Sequence, residues 1–592
     1  MTLDLAAVVE RARAWRAVDP DPVTRHELDE LLVGAGAGDP AAADELAERF
    51  AGRLAFGTAG LRAELGAGPL RMNRLVVRQA AAGLARWLGP GSSVVIGWDA
   101  RHQSDVFALD TARVLAAAGL SAHLFTATCP TPTLAFAIRH LGVDAGVMCT
   151  ASHNPSRDNG YKVYLGDGAQ IVPPADVEIA AAIDREAAAG APELAPDDHP
   201  AIHRVGPELV AAYLDHVDAL TRRLAGAGHG LPIGAGIRIA YTPLHGVGGA
   251  VVVEALARAG FDQVEVVAEQ FEPDPDFPTV SFPNPEEPGA LDRAEALARR
   301  THADLVVAND PDADRLAVMV PGPGVDLGAG RDTGPGQAGW VALTGNQVGA
   351  LLADHVLDLT EGDDRLVVTT YVSSQLLARQ AEAAGVHYAE VATGFKWVVR
   401  PGLDHPELRF VFGYEEALGF SVDAEVRDKD GVSAAVCFAQ LVATLRDTGA
   451  TIWDRLDHLG RRYGEHVTRT DSWRAEGSAG HARMARTMAE LRRRPPTELA
   501  GAAVASWRDL ARPAGDDPPS DAVILVLDDG ARVCLRPSGT EPKLKAYVEV
   551  VEAVEPGPDG PRRARRAGAD RAARLVGALG DGPLAGLVSP TG

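Results

Sequence analysis

Ser152 is the first residue whose type and position could carry out chemistry. It lies in the segment TASHNP (150–155), directly after the apolar run AGVMC (145–149), which predicts a buried strand. Ligands of open α/β sheets bind at the carboxyl ends of strands, so the serine hydroxyl is placed where a ligand would bind. The alternative is a plain turn, because Ser, Asn and Pro are common turn formers, and on this segment alone the turn is favoured.

A serine hydrolase that uses Ser152 together with His153 is disfavoured by the sequence. Adjacent side chains on an extended chain point to opposite faces, so these two are not expected to meet. The chain also contains no G-x-S-x-G segment, which marks the hydrolases whose serine sits on a strand-to-helix turn.

Three carboxylates at alternate positions predict a metal site. Asp310, Asp312 and Asp314 follow a second apolar run in DPDADR (310–315). Oxygen-only ligands of this kind suit Mg²⁺, and a loop can direct three of them to one cation. An EF-hand shares the D-x-D-x-D pattern but is excluded, because Arg315 stands where it needs glycine and Pro321 where it needs glutamate. A solvated acidic turn is the remaining alternative.

A third segment, RPSGTEP (536–542), is suited to holding a phosphate that is bound and not transferred. Arg536 offers a planar fork of donors, which matches phosphate oxygens. Ser538, Gly539 and Thr540 add hydroxyls and accessible backbone N–H groups that can form an anion nest. A hairpin loop containing glycine is nearly as good an interpretation of this segment alone.

Other short segments hold single groups of the same kind. Glu415 in GYEEALG (413–419) could accept hydrogen bonds from sugar hydroxyls, and Lys429 in RDKDG (427–431) could bind phosphate or transfer a proton. FGTAGLR (56–62) is a glycine-rich loop closed by a cation. By contrast, GPGQAG (334–339) follows a glycine-rich loop and no apolar strand, so it does not predict a dinucleotide site.

The elements that must position these groups alternate in type along the chain. The first 50 residues show apolar positions at helical spacing. After them, strands followed by loops alternate with helices, which predicts βαβ units and mostly parallel sheets. Strands are predicted within 92–101, 145–149, 237–246, 304–315, 365–371 and 386–394, and helices at 111–120, 251–260 and 375–385.

The character of the chain changes after about residue 460. Residues 522–551 are predicted to form strands joined by turns, and DDG (528–530) is typical of a hairpin turn. This part of the chain is therefore predicted to be a smaller α+β domain. Residues 321–339 are rich in Gly and Pro and are predicted to form a loop or a domain boundary. The tail from Glu555 is predicted to form a helix followed by a frayed terminus.

Composition and charge limit the possible partners. The formal net charge is −24, which argues against nucleic-acid binding through a basic surface. An enzyme with this charge that binds phosphorylated substrates must concentrate its cations locally. The four cysteines form no C-x-x-C pair, no apolar run reaches about 18 residues, and the N-terminus lacks the apolar core of a signal peptide. We therefore expect a cytoplasmic protein without a membrane partner.

Taken together and in this order, the segments resemble the α-D-phosphohexomutase superfamily. FGTAGLR, TASHNP with NGYK, DPDADR, GYEEALG and RPSGTEPK span residues 56–545. FGTAGLR, the helical lead-in and GFKW (394–397) look most like the phosphoglucomutase/phosphopentomutase branch. The resemblance implies an α/β protein of four domains around a central cleft, three related with mixed, mostly parallel sheets and a smaller α+β domain at the C-terminus.

The domain boundaries that we expect follow from these segments. Residues 1–50 form the helical lead-in, 51–225 the domain with the serine loop, 226–337 the domain with the metal loop, 338–460 the domain with the sugar-binding loop, and 461–592 the domain with the phosphate-binding loop and tail.

The resemblance also implies the roles of the site residues. It implies a phosphorylated Ser152 and Mg²⁺ held by the Ser152 phosphate, Asp310, Asp312 and Asp314. Near the transferred phosphate it places Arg62, His153 and Lys162, with Arg62 and Lys162 as proton-transfer candidates. The remaining implied roles are the cationic lining for Arg315 and Lys429, sugar binding for Thr393, Gly394, Lys396 and Glu415, and the distal phosphate for Arg536, Ser538, Gly539, Thr540 and Lys545.

The activity implied is that of a phosphosugar mutase, which interconverts hexose 1-phosphate and hexose 6-phosphate, with glucose as the expected sugar. The reaction is expected to pass through a phosphoserine and a sugar 1,6-bisphosphate. The bisphosphate is also expected to serve as the activator. Phosphomannomutase, phosphopentomutase, a glucosamine phosphate mutase and glucose-1,6-bisphosphate synthase remain alternatives, followed by a Mg²⁺-dependent sugar phosphatase. Ala417 stands where family members commonly carry serine, which leaves the sugar open. We expect sugar phosphates as ligands and a monomer or homodimer.

Overall fold

The computed structural model describes residues 5–57, 60–226, 236–323, 339–474, 480–513, 518–538, 543–585 and 587. The chain divides into two compact units. The first consists of residues 1–343 with 419–444, and the second of residues 344–418 with 445–592.

The first unit begins with three helices that pack on one another. The Asp21 and Asp39 carboxylates each accept a backbone N–H of the helix that follows, and a proline occupies the first turn of both helices, so each start is well defined. The buried faces of the three helices share one small apolar cluster. The bounds are α1 (Leu5–Val18), α2 (Pro22–Gly36) and α3 (Pro40–Arg49).

The next part of the first unit is a mixed six-stranded sheet with helices. Its elements are β1 (Leu61–Glu64), α4 (Arg74–Leu88), β2 (Ser93–Trp98), α5 (Ser104–Ala117), β3 (Ser121–Phe125), α6 (Thr131–Leu141), β4 (Ala145–Cys149), β5 (Asp158–Leu165), α7 (Ala175–Ala189), β6 (Ile202–Val205) and α8 (Pro207–Gly226). The strand order is β1-β5-β4-β2-β3-β6. Strands β4, β2, β3 and β6 run parallel, whereas β5 is antiparallel to β4 and β1.

A second mixed sheet in the same unit carries the acidic segment. Its elements are β7 (Arg238–Thr242), α9 (Gly249–Arg258), β8 (Gln263–Val266), α10 (Ala268–Phe271), α11 (Asp292–Thr301), β9 (Leu305–Ala308), β10 (Ala317–Pro321) and β11 (Trp340–Ala342). The strand order is β11-β10-β9-β7-β8, with β9, β7 and β8 parallel. All four residues of β9 are buried, as its apolar sequence predicts.

The second unit opens with parallel strands in the order β13-β12-β14. Its elements are α12 (Gly345–Leu359), β12 (Arg365–Thr370), α13 (Leu376–Ala384), β13 (His387–Val391), α14 (Phe395–Val398), α15 (Arg400–Asp404) and β14 (Arg409–Glu415). The chain then contributes β15 (Gly419–Ser421) and most of α16 (Gly431–Asp447) to the first unit.

The last part of the second unit is built on an antiparallel sheet. Its elements are α17 (Ile452–Tyr463), β16 (Glu465–Arg474), α18 (Gly480–Arg493), β17 (Glu498–Leu499), β18 (Ala502–Asp509), β19 (Val523–Leu527), β20 (Arg532–Pro537), β21 (Lys543–Glu552) and α19 (Gly560–Asp581). The strand order is β16-β21-β20-β19-β18-β17. The predicted DDG turn joins β19 to β20.

These sheets confirm the predicted α/β class, with mixed sheets followed by a distinct C-terminal domain. Most of the Gly/Pro-rich segment, residues 324–338, lies outside the described residues. Among the residues that the structure describes, no helix combines the length and the apolar character needed to cross a membrane.

Candidate active site

Ser152 lies three residues beyond the end of β4, in a left-handed backbone conformation with φ of +50°. Its side chain is almost fully buried, with the residue 4% exposed. The Ser152 Oγ donates a hydrogen bond of 2.6 Å to Asp310 Oδ2 and lies 3.2 Å from His153 Nδ1. The serine loop and the acidic loop, which are 158 residues apart in sequence, therefore meet at the serine hydroxyl.

The prediction that the Ser152 and His153 side chains do not meet was wrong. It assumed an extended chain, but the positive φ at Ser152 turns the backbone so that the two side chains lie on the same side. Burial lowers the pKa of His153 well below its usual range, and the positive charges of Arg315 and Arg62 lower it further. The imidazole is therefore neutral at pH 7.

A buried network, which sequence reasoning missed, holds the serine loop. The Thr150 hydroxyl donates to Asp99 Oδ2 at 2.6 Å and accepts the Ser152 backbone N–H at 2.8 Å. The Arg101 guanidinium donates to the carbonyl oxygens of Ser152 at 2.6 Å and of Pro155 at 2.7 Å. It also donates to the Asn154 and Asp158 carbonyls, so one 3%-exposed side chain organises the whole loop.

A sequence signal for this network was present. Asp99 and Arg101 belong to WDAR (98–101), which begins at the last residue of β2, the strand next to β4 in the sheet. The rule that ligands bind at the carboxyl ends of parallel strands, applied to β2 as well as to β4, would have selected both residues.

The three aspartates of the acidic loop converge as predicted. Asp310, Asp312 and Asp314 are at most 1% exposed, and one carboxylate oxygen from each lies within 4.8 Å of the others. Ala313, with φ of +57°, makes the turn that brings alternate residues together. Among the described residues, Asp312 Oδ1 and Asp314 Oδ1 are buried without a hydrogen-bond partner. Unpaired buried carboxylate oxygens are costly, so this donor set fits a divalent cation such as Mg²⁺.

Neighbouring segments fix the acidic loop in place. Thr131, the first residue of α6, donates through its hydroxyl to Asp312 Oδ2 at 2.6 Å and through its N–H to the Asp312 carbonyl at 2.9 Å. On another side, the Val247 N–H donates to the Pro311 carbonyl at 2.8 Å. Gly246 lies so close that a Cβ there would be 2.4 Å from the Pro311 Cα. Sequence reasoning missed all of these contacts, because they join distant segments.

Two lysines partly neutralise the acidic loop. Lys162 Nζ lies 2.7 Å from Asp312 and 3.1 Å from Asp314, and Lys429 Nζ lies 3.0 Å from Asp314 and 3.4 Å from Asp428. Both lysines were predicted site residues. Asp428, which also accepts a hydrogen bond from Tyr164 at 2.7 Å, was not.

The charges of the cluster control its protonation. Burial raises the pKa of Asp310 well above its usual range, and the neighbouring carboxylates add to this. Burial also opposes ionisation of Asp312, but Lys162 outweighs it and holds the pKa of Asp312 well below its usual range. For Lys162, burial would lower the pKa, but Asp312 and Asp314 raise it above its usual value. The ammonium group is therefore kept charged.

The two predicted arginines lie at the edge of this cluster. Arg62, on β1, donates to Asn154 Oδ1 in the serine loop at 3.1 Å. Arg315 donates its backbone N–H to Asp310 Oδ1 at 3.0 Å, and its guanidinium lies 3.5 Å from Glu286. The first unit thus brings together Ser152, His153, Arg62, Lys162, Lys429, Arg315 and the three aspartates.

The second unit brings together part of the predicted sugar loop. Glu415, the last residue of β14, accepts the Gly394 N–H at 2.7 Å, and Gly394 has the left-handed φ of +110° that favours glycine. Thr393 is a hydrogen-bond partner of Tyr371. Lys396 is buried in the short helix α14. Ala417 is half-buried, two residues beyond Glu415.

The predicted phosphate loop is described in part. Arg536 on β20 and Lys545 on β21 are directly opposite each other in the register of the two strands. Arg536 is also a hydrogen-bond partner of Tyr547. The Ser538 N–H donates to the Lys543 carbonyl at 2.8 Å, whereas Gly539 and Thr540 lie outside the described residues.

Comparisons with known protein families match most of the chain. The phosphoglucomutase/phosphomannomutase models for α/β/α domains I, II and III match residues 53–189, 211–324 and 344–463, and the model for the C-terminal domain matches residues 476–555.

Individual relatives cover nearly the whole chain. A Haemophilus influenzae protein described as "Probable phosphomannomutase" is 42% identical over 81% of this chain and 93% of its own. A Staphylococcus epidermidis phosphoglucomutase is 34% identical, over 88% of this chain and 95% of its own. A Schizosaccharomyces pombe "Probable phosphoribomutase" is also 34% identical, over 90% of this chain and 92% of its own.

Solved structures agree with the fold. A phosphoglucomutase/phosphomannomutase family protein from Burkholderia thailandensis superimposes with a TM-score of 0.63 at 19% identity. The match covers 90% of this chain and 99% of that one.

Proposed function

The chain belongs to the phosphoglucomutase/phosphomannomutase family, and on that premise we propose that it interconverts hexose 1-phosphate and hexose 6-phosphate, with glucose as the preferred sugar. The resemblance predicted from the motifs is thereby confirmed, and so is the enzyme class, an isomerase that acts as a phosphosugar mutase. The sugar, the phosphoserine and the bisphosphate intermediate are parts of the proposal.

The observation that carries the proposal is the contact of 2.6 Å between Ser152 Oγ and Asp310 Oδ2, beside two unpaired carboxylate oxygens. It supports a serine that holds a phosphoryl group next to a bound cation. A bound Mg²⁺ would neutralise the negative charge of the phosphoryl oxygens. The residues that would hold it are Ser152, Asp310, Asp312 and Asp314. Oxygen donors that are already assembled need little reorganisation during the reaction.

In the proposed cycle, phosphorylated Ser152 gives its phosphoryl group to the free hydroxyl of a sugar monophosphate. The O–P bond to Ser152 breaks as the bond to the sugar oxygen forms. The Lys162 ammonium gives a proton to the released Ser152 oxygen and takes the proton of the sugar hydroxyl in its place, so the ammonium is charged before and after the transfer. The resulting 1,6-bisphosphate turns around and returns its other phosphate to Ser152. Both phosphates are conserved through the cycle, so no inorganic phosphate is released.

The chain's own residues have distinct proposed roles. Arg62 and Lys162 transfer the proton or stabilise the charge that develops, and Lys429 and Arg315 hold phosphate oxygens. His153, which is neutral and 3.2 Å from the serine Oγ, orients the serine side chain. Sugar hydroxyls are recognised by Thr393, Gly394, Lys396 and Glu415. The distal phosphate is held by Arg536, Ser538, Gly539, Thr540 and Lys545.

Mannose phosphate is the second candidate substrate. It is favoured by the 42% identity to a protein described as a phosphomannomutase and by Ala417, which removes one hydroxyl that could contact the sugar. A lost hydrogen bond of this kind costs about 1 kcal/mol, which is enough to alter the preference between two epimers. A cytoplasmic location and a monomer or homodimer remain proposals based on the sequence.

A substrate panel tests the proposal. Glucose 1-phosphate, mannose 1-phosphate, ribose 1-phosphate and glucosamine 1-phosphate are each assayed with Mg²⁺ and catalytic glucose 1,6-bisphosphate. We expect the highest kcat/KM for glucose 1-phosphate. A higher value for another sugar would change the substrate and leave the mutase mechanism standing. Stoichiometric release of inorganic phosphate would contradict the mutase and indicate a phosphatase.

A further inference from the structure

We infer that a cavity between the N-terminal helices and the first mixed-sheet domain binds a small organic anion. The cavity has a volume of about 400 Å³, within the range of roughly 300–1,000 Å³ that is typical of small-molecule sites. Its walls come from α1, α4, the C-terminal end of α7 and the segment after α3. The lining residues that matter here are Arg11, Trp15, Phe50, Arg53, Leu75 and Gln79.

The charge of this cavity is opposite to that of the chain. The net charge of the protein is −24, yet the described residues of the lining include two arginines and no aspartate or glutamate. Arg11 is exposed and forms no ion pair within the part of the chain that the structure describes. A local excess of positive charge in an acidic protein favours an anionic ligand.

Arg53 is held ready for such a ligand. Its NH2 group donates a hydrogen bond of 2.7 Å to Gln79 Oε1. Gln79 is only 2% exposed, so this buried side chain fixes the orientation of the Arg53 guanidinium. The nearest carboxylate is Asp184, at 4.0 Å, and that side chain is 73% exposed. A partner so well solvated neutralises little of the charge.

The rest of the lining is apolar and sets the kind of ligand. Trp15 and Phe50 meet edge to face, with ring centroids 6.3 Å apart, and Leu75 adds an aliphatic surface. The fork of an arginine suits phosphate and carboxylate equally. The ligand class is therefore a small molecule with a phosphate or carboxylate group and an apolar or ring-shaped body.

This cavity is distinct from the proposed active site. Among the described residues, no hydrogen bond or ion pair joins a lining residue to Ser152 or to the acidic loop, and the α1 wall precedes residue 53, where the match to the family model for domain I begins. Binding here is consequently independent of the proposed mutase reaction, and substitution of Arg11 or Arg53 is expected to leave turnover unchanged.

Isothermal titration calorimetry with two separate probes, phenyl phosphate and benzoate, tests the inference. No sugar phosphate is added, because glucose 6-phosphate carries the phosphate group and the ring that this cavity is proposed to bind and would compete with the probes. Probe binding that persists unchanged in both cavity variants is assigned to the active site. Wild type is compared with Arg53→Met, Arg11→Met and the control Arg13→Met, which is on α1 with a side chain 65% exposed and not part of the lining. Mutase turnover of each variant is measured in parallel.

We expect wild type to bind at least one probe and both cavity variants to bind it about tenfold or more weakly, as expected for the loss of a charged hydrogen bond. Arg13→Met should bind as wild type does. The probe that binds more tightly identifies phosphate or carboxylate as the preferred group. Failure of both probes to bind wild type, or unchanged binding in both cavity variants, would overturn the inference. Arg11 is exposed and forms no ion pair with any residue that the structure describes, so Arg11→Met should fold and decide the result even if Arg53→Met does not fold.

Discussion

Arg101→Met is expected to lower turnover without changing substrate affinity. Arg101 is 3% exposed, so it is not available to a ligand, yet its guanidinium donates to four carbonyl oxygens of the segment 152–158. Methionine fills much of the same volume but donates no hydrogen bond. The backbone carbonyls of this segment would lose their only charged donor among the described residues, because Arg62 reaches only the Asn154 side chain.

The size of the effect follows from these contacts. Arg101 Nε also lies 3.5 Å from Asp99 Oδ2, so its removal leaves a buried carboxylate without its cation. Breaking a buried pair of this kind costs about 3–5 kcal/mol of stability. A displacement of the reacting group by about 1 Å costs about 100-fold in rate. We therefore expect kcat to fall about 100-fold, while KM stays within about twofold.

The assay is steady-state mutase kinetics on folded protein, with the free energy of unfolding measured in urea. Arg113→Met is the matched control, because Arg113 Nε also donates to a backbone carbonyl, that of Ala195 at 2.8 Å, in the same domain. Arg101→Lys should recover only part of the loss, because an ammonium group cannot reach all four carbonyls. Wild-type kcat in a folded Arg101→Met protein would refute the positioning role.

Three further perturbations test other parts of the account. Gly246→Ala places a Cβ 2.4 Å from the Pro311 Cα, so we expect weaker activation by Mg²⁺ and a loss of about 1–3 kcal/mol in the free energy of unfolding. The control Gly577→Ala should show neither effect, because a Cβ at residue 577 would have no heavy atom within 4 Å. Equal behaviour of the two variants would contradict the close packing of Gly246 against Pro311. Asp312→Asn should lower activity about 100-fold or more and abolish its recovery when Mg²⁺ is restored after chelation, and an unchanged Mg²⁺ response would remove the metal assignment. Burial alone would raise the pKa of Glu549, but His466 at 2.9 Å outweighs burial and lowers this pKa below its ordinary 4.5, so the ionised Glu549 stabilises the fold above pH 4.5 and this stabilisation is lost as the pH falls through the pKa of the folded state. The free energy of unfolding in urea should therefore fall in this pH range for wild type and for the control Glu552→Gln, but not for Glu549→Gln. The same pH dependence in all three proteins would argue against this role of Glu549.

Much of the fold was predictable because its signals are local. The strands that carry Ser152 and the aspartates are short apolar runs that end at polar segments, and β4 and β9 lie where those runs predict them. Alternate spacing of Asp310, Asp312 and Asp314 likewise contained the information needed to predict their convergence. Patterns of this kind depend on neighbours within a few residues.

What sequence could not predict are contacts between distant segments. Thr131 reaches Asp312 across 181 positions, and Lys429 reaches Asp314 from the segment between β15 and α16. No periodicity or spacing encodes such a pair, because it depends on how whole elements pack. The backbone at Ser152 was wrongly taken as extended for a related reason. Its left-handed conformation is stabilised by two hydrogen bonds, one that Arg101 donates to the Ser152 carbonyl and one that the Ser152 N–H donates to the Thr150 hydroxyl.

The central claim is that Ser152 holds the phosphoryl group that the sugar receives, and label transfer tests it most directly. Wild type, Ser152→Ala and the neighbouring control Ser156→Ala are incubated with radiolabelled glucose 1,6-bisphosphate and Mg²⁺, separated from free ligand, and chased with unlabelled glucose 6-phosphate. Label on wild type and on Ser156→Ala, absent from Ser152→Ala and passed to the sugar in the chase, is the predicted result. Equal labelling of Ser152→Ala, or label on wild type that the chase leaves in place, would contradict the account.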